Sequence, residues 1–494
     1  MLTRSAAPDL GAVRTLLVAV GAIVCGIAVA WRPTLALAAT VLAIGTVACV
    51  LVPIRHLPAL MLAVTIIMPS LLVEGVGGSG QARAIDLILV LTLARLLLTR
   101  RRVVLPGIPL AAVGVAVGLL LMTDLVATTR PAGQVGTSSE LVRDLSFPLA
   151  AVIGVVGAAT ARRAGKQLTI VRAFAGLGVL AALASISYWA SMKLHVPPPD
   201  RTLYSRVAAT STFGPRSIFP FVSDAPNVGA VVFVLLGALA APPLLESGRR
   251  DRWLALLLIA STFAAVLTTQ SRTGLVVAGA AGAVYLVLVR GGRRWVVLMC
   301  LIALAGASAY VYSTLPAQRR STATLDARLA IWSQAAGSFL HDPVLGHGYG
   351  YSIAGNFVEG PTQGLATQVQ STHSDILSAL VDGGMVGGAS FIGILILMFT
   401  VGRRSLSDPA SRPVGIGYLC MLTVFVIGGL GNTLTQSAAA ATVEWLSFGV
   451  VAGLCLAPGT SRSLALSWRG SRPFARHTGP RAAPPPRPSS AVSS

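Results

Sequence analysis

Four side chains in this sequence could act together on a diphosphate and a hydroxyl. His373 stands at the mouth of the apolar stretch QSTHSDILSALVDGGMVGGASFIGILILMF, and three arginines precede it: Arg216 in FGPRSIF, Arg272 in TTQSRTG and Arg328 in LDARLAI. A guanidinium is always charged and grips phosphate oxygens through two parallel hydrogen bonds, so converging arginines suit a diphosphate. An imidazole titrating near its usual value of about 6.5 suits removal of a proton from a hydroxyl at neutral pH. Each residue also has a plainer reading. A lone boundary histidine is an ordinary structural residue, and a lone arginine is a contact to a lipid headgroup.

The stretch after His373 carries two acids. Thr372 and Asp375 fit a capping box, in which Asp375 bonds backbone donors at a helix start. Asp382 is different. About nine residues down a straight helix it would lie roughly 13 Å deep, where a carboxylate is paired with a cation or protonated by desolvation. Gly383, Gly384, Gly387 and Gly388 beside it allow close helix approach or room for a lipid.

These residues must be positioned by a membrane protein. Of 494 residues, 54% are hydrophobic and only 11% charged, too little polar surface for a soluble chain of this length. Apolar runs recur throughout, each long enough to cross the hydrocarbon as a helix. The expected architecture is an all-α polytopic bundle of about 12–14 spans, read at 10–31, 34–52, 57–73, 84–98, 106–126, 145–160, 168–191, 227–244, 253–269, 273–289, 295–313, 374–401, 414–431 and 439–457. Residues 1–457 form one transmembrane domain, and 458–494 a basic, Pro/Ser-rich, disordered cytoplasmic tail.

The net charge of +21 follows topology rather than nucleic acid. Alternate short connections hold three basic residues each: Arg100–Arg102; Arg162, Arg163 and Lys166; Arg249, Arg250 and Arg252; Arg290, Arg293 and Arg294; Arg403, Arg404 and Arg412. That is the positive-inside pattern, which puts both termini in the cytoplasm and the basic loops against anionic lipid. Arg14, Arg95 and Arg172 lie near those ends and can snorkel, while Asp86 and Asp124 sit toward outer ends and can reach water. The five cysteines all fall in apolar spans without ligand spacing and read as packing residues.

Two long connections then fall outside, 192–226 and 314–372. The second has helical periodicity over Leu325–Leu340, with Leu329, Ile331, Trp332, Ala335, Phe339 and Leu340 apolar, as in an amphipathic helix on the membrane face or over a cavity. Asp224 can cap the helix that begins at Pro226 and Asn227.

In order, these pieces resemble the O-antigen ligase and O-antigen polymerase superfamily. His373-Ser374, nine residues, Gly384, two residues, Gly387 is similar to that family's histidine–glycine motif; ARLAIWSQAAGSFLHDPVLGHGYG to its segment of an Arg, a Trp four residues later and a Pro…Gly-x-Gly turn; SRTG to its Ser-Arg-small element; APN to its Pro-Asn helix start. The likeness covers about 205–400. Ser374 departs from the asparagine common in the family, and fourteen spans exceed its usual dozen.

The resemblance implies an enzyme of a bacterial cytoplasmic membrane that moves a glycan from a polyprenyl diphosphate to an acceptor hydroxyl on the outer face. Arg216, Arg272 and Arg328 would hold the diphosphate, His373 would act as base, and Asn227, Asp375, Asp382, Gly384 and Gly387 would support them. Single displacement would invert the anomeric centre, with no metal and no cofactor. Partners would be the lipid-linked glycan, an envelope acceptor and membrane lipids. No Gly-rich run precedes Lys-Ser/Thr, so a nucleotide sugar is not the expected donor. A transporter or flippase of many helices, or an inactive partner of glycan assembly, are the alternatives; the former usually has charged sites at the midplane in two related halves.

Overall fold

The computed structural model describes residues 47–48, 51–67, 84–98, 107–128, 137–194, 226–289, 323–352, 356–358, 369–435 and 437–456, with isolated positions between 295 and 309. The expected spans at 10–31 and, for the most part, 34–52 and 295–313 lie outside these residues. So do Arg14, Arg216, the Asp86 side chain, most of the 192–226 loop and the 458–494 tail.

Helices dominate, as apolar segments in lipid require, because each must satisfy its own backbone. They are α1 (Leu57–Ile67), α2 (Ala84–Leu98), α3 (Gly107–Thr128), α4 (Thr137–Arg163), α5 (Gln167–Lys193), α6 (Pro226–Leu245), α7 (Arg249–Thr269), α8 (Arg272–Leu288), α9 (Ala323–His341), α10 (Asp375–Ser405), α11 (Arg412–Leu430) and α12 (Ala438–Cys455). Among the described residues α3, α5, α6, α7, α10 and α11 are long and apolar enough to cross a membrane, and α8 and α12 are shorter apolar helices. One two-residue antiparallel pair, β1 (Phe357–Val358) with β2 (Val369–Gln370), interrupts the helical pattern within the second long connection. The all-α polytopic membrane architecture is the one expected.

α6 and α11 form the middle of the bundle, where Ala230 to Leu236 and Ile416 to Leu422 are buried around them. Apolar side chains such as Val115, Leu125, Leu180, Val276, Val287 and Ile396 face outward, a surface suited to lipid tails. α4 and α12 meet backbone to backbone. A Cβ on Gly154 would lie 2.5 Å from the Leu446 carbonyl oxygen, and one on Gly453 would lie 2.5 Å from that of Val155. Small residues at such a seam let dispersion replace the missing hydrophobic drive between helices in lipid.

Among the described residues Arg162, Arg172, Arg249 and Arg412 gather at one end of the bundle. Arg172 on α5 forks onto Asp251 of α7 with bonds of 2.7 and 2.9 Å, and Ser247 donates to the same carboxylate at 2.7 Å. Arg172 therefore does not simply snorkel: it neutralises a buried acid. Arg162 lies 3.7 Å from Asp408, and Arg412 donates to the Leu288 carbonyl at 3.3 Å. α7 leaves this end at Arg249 and reaches the other at Thr269; α8 starts there at Arg272 and returns.

α10 is not one straight helix. Gly384 has φ 61° and ψ −151°, which breaks the helix after Gly383. A Cβ on Gly387 would strike the Ala379 carbonyl oxygen, eight residues earlier. Eight residues of straight helix rise about 12 Å, so the two halves must fold sharply against each other. Asp382 lies before this break, in the first half of α10, seven residues of helix beyond Asp375.

Candidate functional site

The connection after α9 enters the break in α10. In GHGYG, Gly346, Gly348 and Gly350 have φ of 69°, 109° and 79°, conformations open to glycine but costly for other residues. These turns press the chain against carbonyls that the break leaves without helical partners. His347 N–H donates to Val381 O at 2.9 Å, Gly348 N–H to Asp382 O at 3.0 Å, and Met385 N–H to Pro343 O at 2.8 Å. A Cβ on Gly384 would strike the Val344 carbonyl and come within 2.6 Å of Gly346 N. The histidine–glycine spacing thus joins two segments: glycine at 384 is the one residue that admits both the backbone angle and the loop.

Asp382 completes the joint. Its carboxylate accepts from Ser352 N–H at 2.7 Å and from the Ser352 hydroxyl at 2.8 Å. Ser352 O in turn accepts from Thr372 N–H at 3.2 Å. The indole N–H of Trp332 on α9 donates to Thr372 O at 3.1 Å, and the Thr372 hydroxyl meets that of Ser378 at 2.6 Å. Thr372 is therefore held from three sides, immediately before His373.

His373 itself has φ 49°. Among the described residues only it and Gln270 combine a side chain with a left-handed backbone, and Gln270 lies two residues before Arg272. Such strain persists only where the surroundings over-determine it, and it tends to mark functional positions. Ser371 Oγ stands 3.5 Å from Nδ1 of His373. Burial, and after it the positive charge of Arg328, hold the imidazole below its ordinary value. It is neutral at pH 7, the form a base requires.

Asp375 departs from the capping-box expectation. Ser374 is the cap residue and makes no side-chain cap bond, while Asp375 occupies the first helical position. The donors it accepts from belong to the α11–α12 connection: Leu434 N–H at 3.2 Å, Thr435 N–H at 3.0 Å and the Thr435 hydroxyl at 2.6 Å. The carboxylate is packed so closely that a Cβ on Gly429 would lie 2.6 Å from it.

The arginines are placed unevenly. Arg328 reaches the same α11–α12 connection, its Nη1 lying 3.1 Å from where a Gly431 Cβ would be, and its charge acts on His373. Arg272 is exposed at the start of α8, after the Ser271 cap whose side chain accepts from Gly274 N–H at 3.1 Å. A Cβ on Gly274 would lie 2.6 Å from Ala230, three residues beyond Asn227, and Val231 packs on Gly428 of α11. Arg272, Asn227, Arg328 and His373 therefore share one end of the bundle, with Arg328 near enough for its charge to act on His373. The α9 helix spans the range expected, but only one of its faces is covered. Ile331 and Ala335 pack on Phe357 and Val381, whereas Leu329 and Leu340 are exposed.

Behind Asp375 and Asp382 lies a cavity of about 130 Å³ between α3, α4, α10 and α12. Asp124, Asp375, Asp382 and Glu444 line it, with Ser378, Thr435, Tyr349 and Trp445. Asp124 was expected to reach water; it is only 3% exposed and belongs to this wall. Glu444 is the residue that sequence reasoning missed, although an isolated acid within AAAATVEWLSFGVV is the signal that finds it.

Residues 254–392 match the family model described as O-antigen ligase. The match supports the O-antigen ligase/polymerase superfamily and, with it, glycan transfer of that general type by a multi-pass membrane protein. No curated protein matches the chain.

Proposed function

We propose that this chain, carried into the O-antigen ligase/polymerase superfamily by residues 254–392, moves a glycan from a polyprenyl diphosphate to an acceptor hydroxyl on the outer face of a bacterial cytoplasmic membrane. The observation that carries the reading is the pairing of a neutral, strained His373 with the charge of Arg328 at the head of the broken α10. With Nδ1 facing Ser371, Nε2 is the nitrogen left to take the proton of the attacking hydroxyl. The oxygen attacks the anomeric carbon, the bond to the lipid diphosphate breaks, and negative charge builds on the departing oxygens. Arg328 and Arg272, with Arg216 outside the described residues as the third candidate, stabilise that charge. One displacement inverts the anomeric centre without a metal.

The basic ends of α4, α5, α7 and α11 support the sidedness. Positive loops stay in the cytoplasm, so the opposite end, with His373, faces outward. Both termini then lie in the cytoplasm.

The test is Arg272→Lys in a transfer assay with lipid-linked glycan. Lysine keeps the charge and loses the two-pronged geometry, so transfer falls by about tenfold or more while the protein remains folded. Wild-type transfer by the lysine variant removes Arg272 from the diphosphate clamp.

A further inference from the structure

The cavity lined by Asp124, Asp375, Asp382 and Glu444 has no arginine among its lining residues, and Glu444 has no task in the chemistry above. Glu444 is 3% exposed, lines the cavity, and receives no hydrogen bond among the described residues. A buried carboxylate left this way is costly unless something binds it. Asp375, Asp124 and Asp382 stand on the other walls, and Trp445 and Tyr349 add aromatic faces.

The ligand that fits has several hydroxyl donors, no negative charge and an apolar face. Carboxylates accept pairs of adjacent hydroxyls, and aromatic rings cover the C–H face of a sugar. A diphosphate would find no arginine, lysine or histidine among the lining residues to neutralise it. Nor do the acids converge on a point: among the described residues no three His, Cys, Asp or Glu side chains stand at metal-binding spacing. Donors spread around a ring match acceptors spread around the walls.

We infer that this cavity is the acceptor subsite, in which Glu444 accepts hydrogen bonds from the hydroxyls of one acceptor sugar. The inference rests on the transferase reading and deepens it: the arginines hold the diphosphate and the acid-lined cavity holds the neutral, hydroxyl-bearing sugar. Asp375 serves both functions of the wall, since it faces the cavity and also ties down the α11–α12 connection.

Two probes separate the two sites on the purified full-length protein in detergent. Free glucose, galactose and rhamnose are followed by saturation-transfer NMR, and inorganic diphosphate by phosphorus NMR. At least one sugar binds the wild type, Glu444→Leu weakens it roughly tenfold, and Arg328→Gln leaves it unchanged. Diphosphate shows the reverse pattern. Glu444→Gln keeps the volume, melts with the wild type and binds sugar at an intermediate level, which separates lost hydrogen bonding from lost folding. Equal sugar binding by wild type and both Glu444 variants overturns the inference, as does a wild type that binds none of the sugars. Absence of diphosphate binding in the wild type would instead strike the arginine clamp and leave the sugar subsite standing.

Discussion

Asp382 holds Ser352 at two atoms, the backbone N–H at 2.7 Å and the hydroxyl at 2.8 Å, and thereby fixes the chain that reaches His373 through Thr372. An acid whose depth in an apolar helix suggested a cation partner or protonation anchors a loop. In the proposed reaction this positions the base, thirty residues of sequence being bridged by one carboxylate.

That relationship predicts strong coupling. Asp382→Ala and Ser352→Ala each lower the transfer rate, and the double variant is little worse than either, a coupling energy of about 1–2 kcal/mol. A double-mutant cycle on the rate measures it, with the apparent affinity for the lipid-linked donor nearly constant. Additive losses would mean that the two residues act separately.

The break in α10 should tolerate no side chain at its centre. Gly384→Ala meets the Val344 carbonyl and a left-handed backbone together, and destabilises by about 3 kcal/mol. Gly383→Ala is the control, since its Cβ meets only Thr123 at an ordinary 3.4 Å. Thermal unfolding in detergent compares them; equal melting would show that the loop does not depend on the break.

The acid limb of the pH–rate profile reports the Arg328–His373 pair. The folded protein holds the imidazole below its usual value, so the neutral base survives as pH falls and is lost only below that value. Arg328→Gln removes one of the two causes, raises the imidazole, and moves the acid limb toward higher pH. Arg328→Lys keeps the charge, leaves the limb in place and lowers the rate through loss of the bidentate grip. A limb unmoved in Arg328→Gln would detach the guanidinium from the base.

Much of this was legible in the sequence because lipid imposes simple rules. The spans over α3, α5, α6, α7 and α11 follow from uninterrupted apolar length, and the α9 helix follows from periodicity in a polar connection. His373, Arg328 and Gly384 were legible as a spaced set. Their joint was not. Apolar continuity hides the break after Gly383, because a glycine pair in an oily helix reads equally as close packing. Asp375 resembled a cap because Thr372 precedes it by three residues, yet its donors come from Leu434 and Thr435, which no local pattern connects to it. The cavity was invisible for the same reason: Asp124, Asp382 and Glu444 come from three helices far apart in the chain.

The most direct measurement is the size and mass of polyprenyl-linked glycans in the native host, carrying either the wild-type protein or His373→Ala. The account predicts that lipid-linked glycan accumulates in the variant, as single repeat units if the protein polymerises and as long chains missing from their acceptor if it ligates. An unchanged pool of lipid-linked glycan, with the His373→Ala protein folded and present in the membrane, would contradict the assignment of His373 as the base and return the chain to the transporter or inactive-partner reading.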